Sequence, residues 1–247
     1  MLRARPREVH YPERDGKPMG ETDLHRQVML AIWHALSSYF SLDPDVYVSG
    51  NILLYWVEGE TNLSVSPDCF VVKGVKKGLR RVYKVWEEKP PTVVIEVTSR
   101  WTRSEDQHTK TELYRDVLRV KEYFLFDPTG DWIPGQLVGY RRTGRAWRTL
   151  TGAGRGLASH ELGLVLRAED SWLRFVEPKT GRPLPFPWEE AEVRQREAEA
   201  RQREAEGRQR EAEGRQREAE GRLRAEAERD RLRAELDRLK RERGSRE

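Results

Sequence analysis

The chain has 247 residues, of which 36% are charged and 36% hydrophobic, and its 46 basic and 42 acidic residues leave a net charge of +4. This length suffices for one sizeable core with an appendage, and so small a net charge barely favours a polyanionic partner. Cys69 is the only cysteine, so an intrachain disulfide is excluded and a reducing cytoplasm is favoured. Because neither a secretory signal pattern nor an apolar run of roughly 20 residues is present, we expect a cytoplasmic protein without a membrane anchor.

A polar arm and an amphipathic helix are predicted at the start of the chain. Residues 1–20 are polar and interrupted by several prolines, which is typical of an arm outside the core. Between Thr22 and Phe40 apolar residues recur at helical spacing, which predicts a helix with one buried face. Asp43-Pro44 should end this part of the chain, because the residue before a proline disfavours the helical conformation.

Several strands should follow the first helix. Residues 46–48, 52–57 and 68–73 have the β-branched and aromatic composition of strands. After a basic loop over 74–84, residues 92–97 form a continuous apolar run that is typical of a central strand covered on both faces.

A strand, a helix and a second strand then predict a βαβ unit. The helix over 104–118 begins at Ser104, whose spacing to Gln107 fits a capping box. Residues 122–126 form the next strand, so strands 92–97 and 122–126 should be parallel. Short strands with glycine-rich turns are predicted to complete the sheet.

The C-terminal region consists of heptad repeats. Residues 202–222 contain three copies of Gln-Arg-Glu-Ala-Glu-Gly-Arg, which predict a helix with Glu-to-Arg pairs four residues apart. Each pair contributes about 0.2–0.5 kcal/mol and each glycine costs about 1 kcal/mol, so three interpretations stay open. The region is a solvated charged helix, a coiled coil that joins copies of the chain, or a nucleic-acid-binding tail, against which its mixed charge argues. The sequence therefore predicts an arm over 1–20, a globular domain over 21–187 and a helical tail over 188–247.

Two acidic residues are the strongest candidates for chemistry. Asp68 follows Pro67 at the start of an apolar strand, and Glu96 interrupts the apolar run of another. A carboxylate in a central strand is costly unless it is paired or bound to a metal, so a buried ion pair and a cation site are both open interpretations. Carboxylate oxygens suit Mg²⁺, and the amine of Lys110 on the next helix would orient a water molecule or neutralise developing charge.

Together with their neighbours, these residues resemble the Uma-two family of bacterial proteins. The similarity is carried by Ser66-Pro67-Asp68, Ile95-Glu96-Val97-Thr98-Ser99, Arg103, Asp106, Lys110, Tyr114 and the segment 120–128, and it covers roughly residues 20–180. The family is one of endonucleases with the restriction-endonuclease-like PD-(D/E)XK fold. The resemblance implies an α/β fold with a mixed β-sheet core flanked by helices, to which this chain adds a long charged C-terminal helix.

The resemblance also implies a metal site. It would hold Mg²⁺ or Mn²⁺ through Asp68, Glu96 and the main-chain carbonyl of Val97, with Glu21 as an additional candidate. In the common motif a lysine stands two residues after the second acid, where this chain has Thr98. Similar families bring the amine from the following helix, and Lys110 is the matching position.

Other residues near these positions have competing interpretations. Asp106 shares a helix face with Lys110, so the two could also form a surface ion pair. His25 is expected to cap the first helix or to pack, and Tyr114 is expected to pack, with a hydrogen bond from Tyr114 to the site as the alternative. Contacts to nucleic-acid phosphates are predicted for five basic residues: Lys76, Lys77, Arg80, Arg81 and Arg103. The competing interpretation is that these are solvated charges of surface loops.

Two functional hypotheses follow. The first is a magnesium-dependent endonuclease, a hydrolase whose catalytic residues are Asp68, Glu96 and Lys110 and whose substrate is DNA. The second is a non-catalytic nucleic-acid-binding or scaffold protein on the same fold, which the absence of a lysine at Thr98 favours. Under either hypothesis the C-terminal helix would be the element through which a homo-oligomer forms.

Overall fold

The computed structural model describes residues 9–13, 22–100, 102–152 and 156–244, with side chains as far as residue 235. It divides into two compact units, with the boundary between Pro187 and Trp188. Within the described residues the strands are β1 (Val46–Ser49), β2 (Leu54–Tyr55), β3 (Ser64–Val65), β4 (Cys69–Lys73), β5 (Tyr83–Lys84), β6 (Val93–Val97), β7 (Glu122–Phe126), β8 (Leu137–Thr143), β9 (Ala146–Thr149), β10 (Leu157–Ser159), β11 (Leu164–Glu169) and β12 (Trp172–Val176).

A six-stranded mixed sheet forms the centre of the first unit. Its spatial order is β1-β4-β6-β7-β8-β9, and β6 and β7 are its one parallel pair. The parallel pairing confirms the predicted βαβ unit. Strands β10, β11 and β12 form a separate antiparallel sheet, and β3, β2 and β5 form another. The mixed sheet with its flanking helices confirms the predicted α/β fold class.

The strand predicted over 52–57 is too long. Only Leu54 and Tyr55 pair, and they belong to the small β3-β2-β5 sheet instead of the central one. Asn51 has a φ of 53°, which redirects the chain before this segment. The β-rich composition therefore identified an extended segment but not its length or its partner.

Helix α1 (Asp23–Tyr39) and helix α2 belong to the two hydrophobic clusters of the unit. Helix α2 consists of a π-helical turn (Glu105–Thr109), an α-helical turn (Lys110–Glu112) and a second π-helical turn (Leu113–Val117). Residues of α1 pack with Ile95 of β6, whereas Tyr114 of α2 packs with Val94. All five residues of β6 are buried, as expected for a central strand covered on both faces.

The capping box predicted at Ser104 is not formed. Ser104 already has a helical conformation, and its side chain makes no capping hydrogen bond. Instead, Ser99 and Thr102 exchange hydrogen bonds between their side chains and main-chain N–H groups just upstream. The sequence pattern was wrong about the start of the helix because this tighter local turn begins before Ser104.

Helix α3 (Pro187–Gly244) makes up the described part of the second unit, which begins at Trp188, and its described side chains from residue 191 onwards are exposed. The expected pair between Glu204 and Arg208 forms at 3.2 Å, and Gln202, Gln209 and Gln216 each donate to a glutamate four residues later. The helix is continuous through the repeats. Its self-association stays a prediction. No helix in the described ranges is both long and apolar enough to cross a membrane.

Candidate metal and active site

The pairing of β4 with β6 brings Asp68 and Glu96 together. Cys69 lies opposite Ile95 in this antiparallel pair, so the preceding Asp68 meets Glu96 at the same point of the sheet. The main-chain N–H of Asp68 donates to Oε2 of Glu96 at 3.3 Å, and the N–H of Val97 donates to Oδ2 of Asp68 at 2.7 Å. The two predicted acids therefore form one site.

Gly50 permits a close approach of the backbone beside Asp68. A Cβ atom at this position would lie 2.1 Å from the main-chain oxygen of Asp68, which no side chain can tolerate. The neighbouring Asn51 donates its N–H to the carbonyl of Pro67 at 2.8 Å. These contacts fix the turn that carries Asp68.

Helix α2 brings three side chains to the acid pair. The amine of Lys110 lies 3.1 Å from Oε2 of Glu96 and 2.9 Å from Oδ1 of Asp106. The hydroxyl of Tyr114 donates to Oε1 of Glu96 at 2.6 Å. Because a π-helical turn holds more residues than an α-helical one, positions 106, 110 and 114 line up closely along the helix.

These contacts decide between the interpretations of the helix residues. The side chains of Lys110 and Asp106 are only 12% and 1% exposed, so their ion pair is buried and not a surface pair. Tyr114 packs and also bonds to Glu96, which combines both interpretations made of it. The spacing of 106, 110 and 114 was the sequence signal for this shared face.

His25 also reaches the site. Its Nε2 lies 3.6 Å from Oδ2 of Asp68, an electrostatic contact just beyond hydrogen-bonding length. Thr22, rather than His25, caps α1, since its hydroxyl accepts the N–H of His25. Sequence reasoning missed the contact with Asp68, because the approach of α1 to β4 depends on tertiary packing.

The pKa values of the two acids shift in opposite directions. Burial acts to raise the pKa of Asp68, but His25, the charge of Lys110 and the N–H of Val97 together hold it below its ordinary value. For Glu96, complete burial dominates and raises its pKa well above the ordinary value, and the neighbouring carboxylates add to this rise. In this arrangement Asp68 ionises more readily than Glu96.

Asp106 and Lys110 complete this cluster. Burial, with a smaller effect from Asp68, raises the pKa of Asp106. Burial acts to lower the pKa of Lys110, but the three surrounding carboxylates raise it above its ordinary value. Neither carboxylate oxygen of Asp106 makes a hydrogen bond of good geometry with the described residues, although the distance from Oδ1 to the Lys110 amine is that of an ion pair. We regard the contact as electrostatic.

Comparison with known proteins identifies the family of the chain. The model of the Uma2 family, described as "Putative restriction endonuclease", matches residues 2–169. The chain belongs to the Uma2 family. It is also similar to the crystal structure of "a putative nuclease belonging to DUF820 from Anabaena variabilis ATCC 29413", with 16% identity, a TM-score of 0.45 and coverage of 65% of this chain and 88% of that one. No curated protein matches the chain.

The two acids of this Uma2 protein fit a hard divalent cation of the kind that restriction-endonuclease-like families generally use. Within the described part of the chain, no group of three or more His, Cys, Asp or Glu side chains is arranged to hold a metal. Mg²⁺ is commonly held by one or two carboxylates, with water and substrate phosphates filling its other positions. A pair of adjacent carboxylates therefore suits Mg²⁺ or Mn²⁺ better than a cation that needs a closed protein cage.

The remaining metal-ligand candidates are Val97 and Glu21. Val97 meets the site through its N–H, which bonds to Asp68, and metal binding by its carbonyl stays a prediction. Glu21 lies outside the described residues. Thr98, at the position of the motif lysine, is buried directly after β6 and carries no amine, so the amine beside Glu96 comes from Lys110.

Several basic residues of the loop over 74–84 contact other residues of the Uma2 domain. Arg80 is paired with Glu88 at 2.5 Å and lies over the ring of Tyr47, which favours a structural role. Lys77 donates to the main-chain oxygens of residues 40 and 41, and Arg81 pairs with Glu13. Lys76 is exposed. Phosphate contact by these residues stays a prediction, and it is least compatible with Arg80, whose guanidinium already has partners.

Proposed function

We propose that this Uma2 protein is a divalent-metal-dependent endonuclease that hydrolyses phosphodiester bonds in DNA. The observation that carries the proposal is the convergence of Asp68, Glu96 and Lys110 on one buried point of the sheet. The description of the family as a restriction endonuclease supports the reaction class and DNA as the substrate.

The side chains would divide the work as follows. Asp68 and Glu96 hold Mg²⁺ or Mn²⁺, which when bound polarises the phosphate and lowers the pKa of a water molecule. Lys110 orients the attacking water and neutralises charge that develops on the phosphate. Because Lys110 is fixed between Glu96 and Asp106, its ammonium is already positioned before the substrate arrives.

Two further side chains would hold the acids in place. Tyr114 fixes the orientation of Glu96 through its hydrogen bond, and His25 restricts the carboxylate of Asp68 from the side of α1. Both are positioning residues, since each acts through an acid and not on the phosphate.

A cleavage assay tests the proposal. Supercoiled plasmid DNA is incubated with the protein in Mg²⁺, Mn²⁺ or EDTA, alongside the near-isosteric variants Asp68→Asn and Glu96→Gln. Glu112→Gln, an exposed acid of α2, is the matched control. We expect metal-dependent cleavage that both site variants abolish and the control retains.

The same experiment separates the second hypothesis. Cleavage that survives in both Asp68→Asn and Glu96→Gln rules out the proposed site. Salt-sensitive DNA binding without cleavage, together with no heat of metal binding in calorimetry, identifies instead a non-catalytic binding protein on a nuclease fold.

A further inference from the structure

A cavity of about 410 Å³ opens beside the acid pair. Its walls come from the start of α1, the chain after β6 and the loop after β7, and they include Leu24, His25, Thr98, Arg103, Pro128 and Trp132. His25 connects the cavity to the acids through its contact with Asp68, and Thr98 directly follows β6, two residues beyond Glu96. The cavity therefore adjoins the proposed reaction centre.

Thr98 contributes a polar group that lacks a partner. Thr98 is 3% exposed, and its Oγ1 makes no hydrogen bond within the described residues. A buried hydroxyl in this condition costs stability, so its presence needs a reason. Thr98 lines the cavity, so a rotation of its side chain would let a ligand there supply the missing hydrogen bond.

Arg103 contributes a positioned charge. Its guanidinium lies 4.1 Å from the centroid of the Trp132 ring, and both residues line the cavity. Stacking on an aromatic face orders the planar guanidinium, which can then bind a phosphate through two parallel hydrogen bonds. Arg100 also lines the cavity, and Asp131 is the one acidic side chain of the described lining, so the walls carry a net positive charge.

The loop that carries Trp132 is firmly held. Both carboxylate oxygens of Asp127 accept main-chain N–H groups of this loop, including those of Trp132 at 2.6 Å and Ile133 at 3.0 Å. Thr129 and Gly130 donate to the other oxygen. The wall of the cavity is therefore formed in advance of any ligand.

The size and walls of the cavity suit more than a phosphate ion. Pockets for small organic ligands begin at about 300 Å³ and combine apolar walls with a few polar groups. Leu24, Pro128 and Trp132 supply apolar surface, while Thr98 and Arg103 supply polar groups. A phosphate with its sugar and base matches this combination.

We propose that this cavity binds one unpaired nucleotide next to the scissile phosphodiester, with its phosphate on Arg103 and Thr98 and its base against the apolar walls. The inference rests on the proposed function, because it takes the ligand to be part of a nucleic-acid substrate. It adds that the substrate has an unpaired or extruded nucleotide at this position, since a base that stays within a duplex cannot enter a cavity of this kind.

Calorimetric titration with thymidine 5′-monophosphate in EDTA tests the inference. Thr98→Val replaces the hydroxyl with a methyl group of similar size, and Arg103→Ala removes the guanidinium. Arg148→Ala, an exposed arginine of β9 that does not line the cavity, is the matched control. Inorganic phosphate and thymidine serve as separate probes of the two halves of the nucleotide.

We expect saturable binding of the nucleotide to the wild type, with inorganic phosphate at least about tenfold weaker. Arg103→Ala should weaken binding by roughly 10- to 100-fold, because a hydrogen bond to a charged group is lost. Thr98→Val should also weaken nucleotide binding. The thermal midpoint of the unliganded variant should not fall below that of the wild type, since the hydroxyl it removes makes no hydrogen bond within the described residues. Arg148→Ala should bind like the wild type.

Absence of saturable binding, equal binding by all four proteins, or phosphate that binds as tightly as the nucleotide overturns the inference. The outcome is independent of cleavage because EDTA removes divalent metals. Metal-dependent cleavage without nucleotide binding overturns this inference alone. Nucleotide binding without cleavage overturns the endonuclease proposal alone.

Discussion

Replacing Lys110 with methionine should destabilise the first unit strongly in the absence of metal. The amine of Lys110 lies within 3.1 Å of carboxylate oxygens of both Glu96 and Asp106, and its side chain is 12% exposed. Methionine retains the length and apolar volume of lysine but removes the charge. Lys110→Met therefore leaves a cluster of buried acids without their cation.

The expected cost follows from these distances. At an effective dielectric constant of about 20, two charges about 3 Å apart attract by roughly 5–6 kcal/mol, and desolvation offsets much of this gain. Removing one partner of a buried pair costs about 3–5 kcal/mol, because the other charge stays uncompensated. We expect Lys110→Met to lower the free energy of unfolding by about 3–5 kcal/mol at neutral pH.

The dependence on pH has a definite sign. Loss of the ammonium raises the folded-state pKa of Glu96 and Asp106 further above the unfolded value. A group with a raised folded pKa contributes stability that is lost as the pH rises. The stability difference between Lys110→Met and wild type should therefore grow from about pH 5 to pH 8.

Urea unfolding followed by tryptophan fluorescence measures this difference. Seven of the eight tryptophans precede helix α3, so the signal reports mainly on the first unit. Lys121→Met is the control, because Lys121 forms an ion pair with Glu161 while its side chain is 62% exposed, and an exposed pair contributes less than about 1 kcal/mol. Added Mg²⁺ should restore part of the lost stability, because the cation replaces the missing charge. Equal, small losses for Lys110→Met and Lys121→Met would refute the buried cluster.

Three other changes have defined outcomes. Tyr114→Phe should lower the free energy of unfolding by about 1–3 kcal/mol, because Glu96 loses a hydrogen-bond donor. The same variant should reduce kcat by a larger factor than it changes KM, and an unchanged kcat in a plasmid-cleavage assay contradicts this role. Asp127→Asn should cost about 1.5–3 kcal/mol at neutral pH in urea unfolding. Burial acts to raise the pKa of Asp127, but the N–H groups that bond to its carboxylate hold it below its ordinary value. Its contribution to folding stability is therefore present above the unfolded pKa and is lost as the pH falls through the folded pKa. A destabilisation by Asp127→Asn that does not shrink in acid refutes this reasoning. Replacing Gly207, Gly214 and Gly221 with alanine should raise the thermal midpoint of the α3 helical signal in circular dichroism. Each replacement should add about 0.8–1 kcal/mol of helix stability, since an added Cβ meets open space. An unchanged or lower midpoint contradicts it.

The central sheet and the acid pair could be predicted because their signals are local. The apolar run before Glu96 identifies a strand with two covered faces, and a short helix between two strands requires the parallel pairing of β6 with β7. Once two acids mark the edges of neighbouring strands, antiparallel pairing brings them together. The seven-residue repeat likewise indicates a continuous helix.

Other features depend on contacts that no local pattern encodes. The π-helical turns of α2 bury Asp106 and align it with Tyr114, whereas the sequence predicts an ordinary amphipathic helix. Arg80 was a candidate for phosphate contact, but Glu88 lies near enough in the folded loop to engage it. His25 meets Asp68 only because α1 packs across β4. In each case tertiary packing decides the role of a charged side chain whose sequence context is ambiguous.

Anomalous diffraction from a crystal soaked in Mn²⁺ tests the central claim most directly. We predict one strong peak between the carboxylates of Asp68 and Glu96, at about 2.0–2.6 Å from an oxygen of each, and its loss in Asp68→Asn. A crystal that shows no peak there, or a peak held by other residues, contradicts the assignment of these two acids as the metal site.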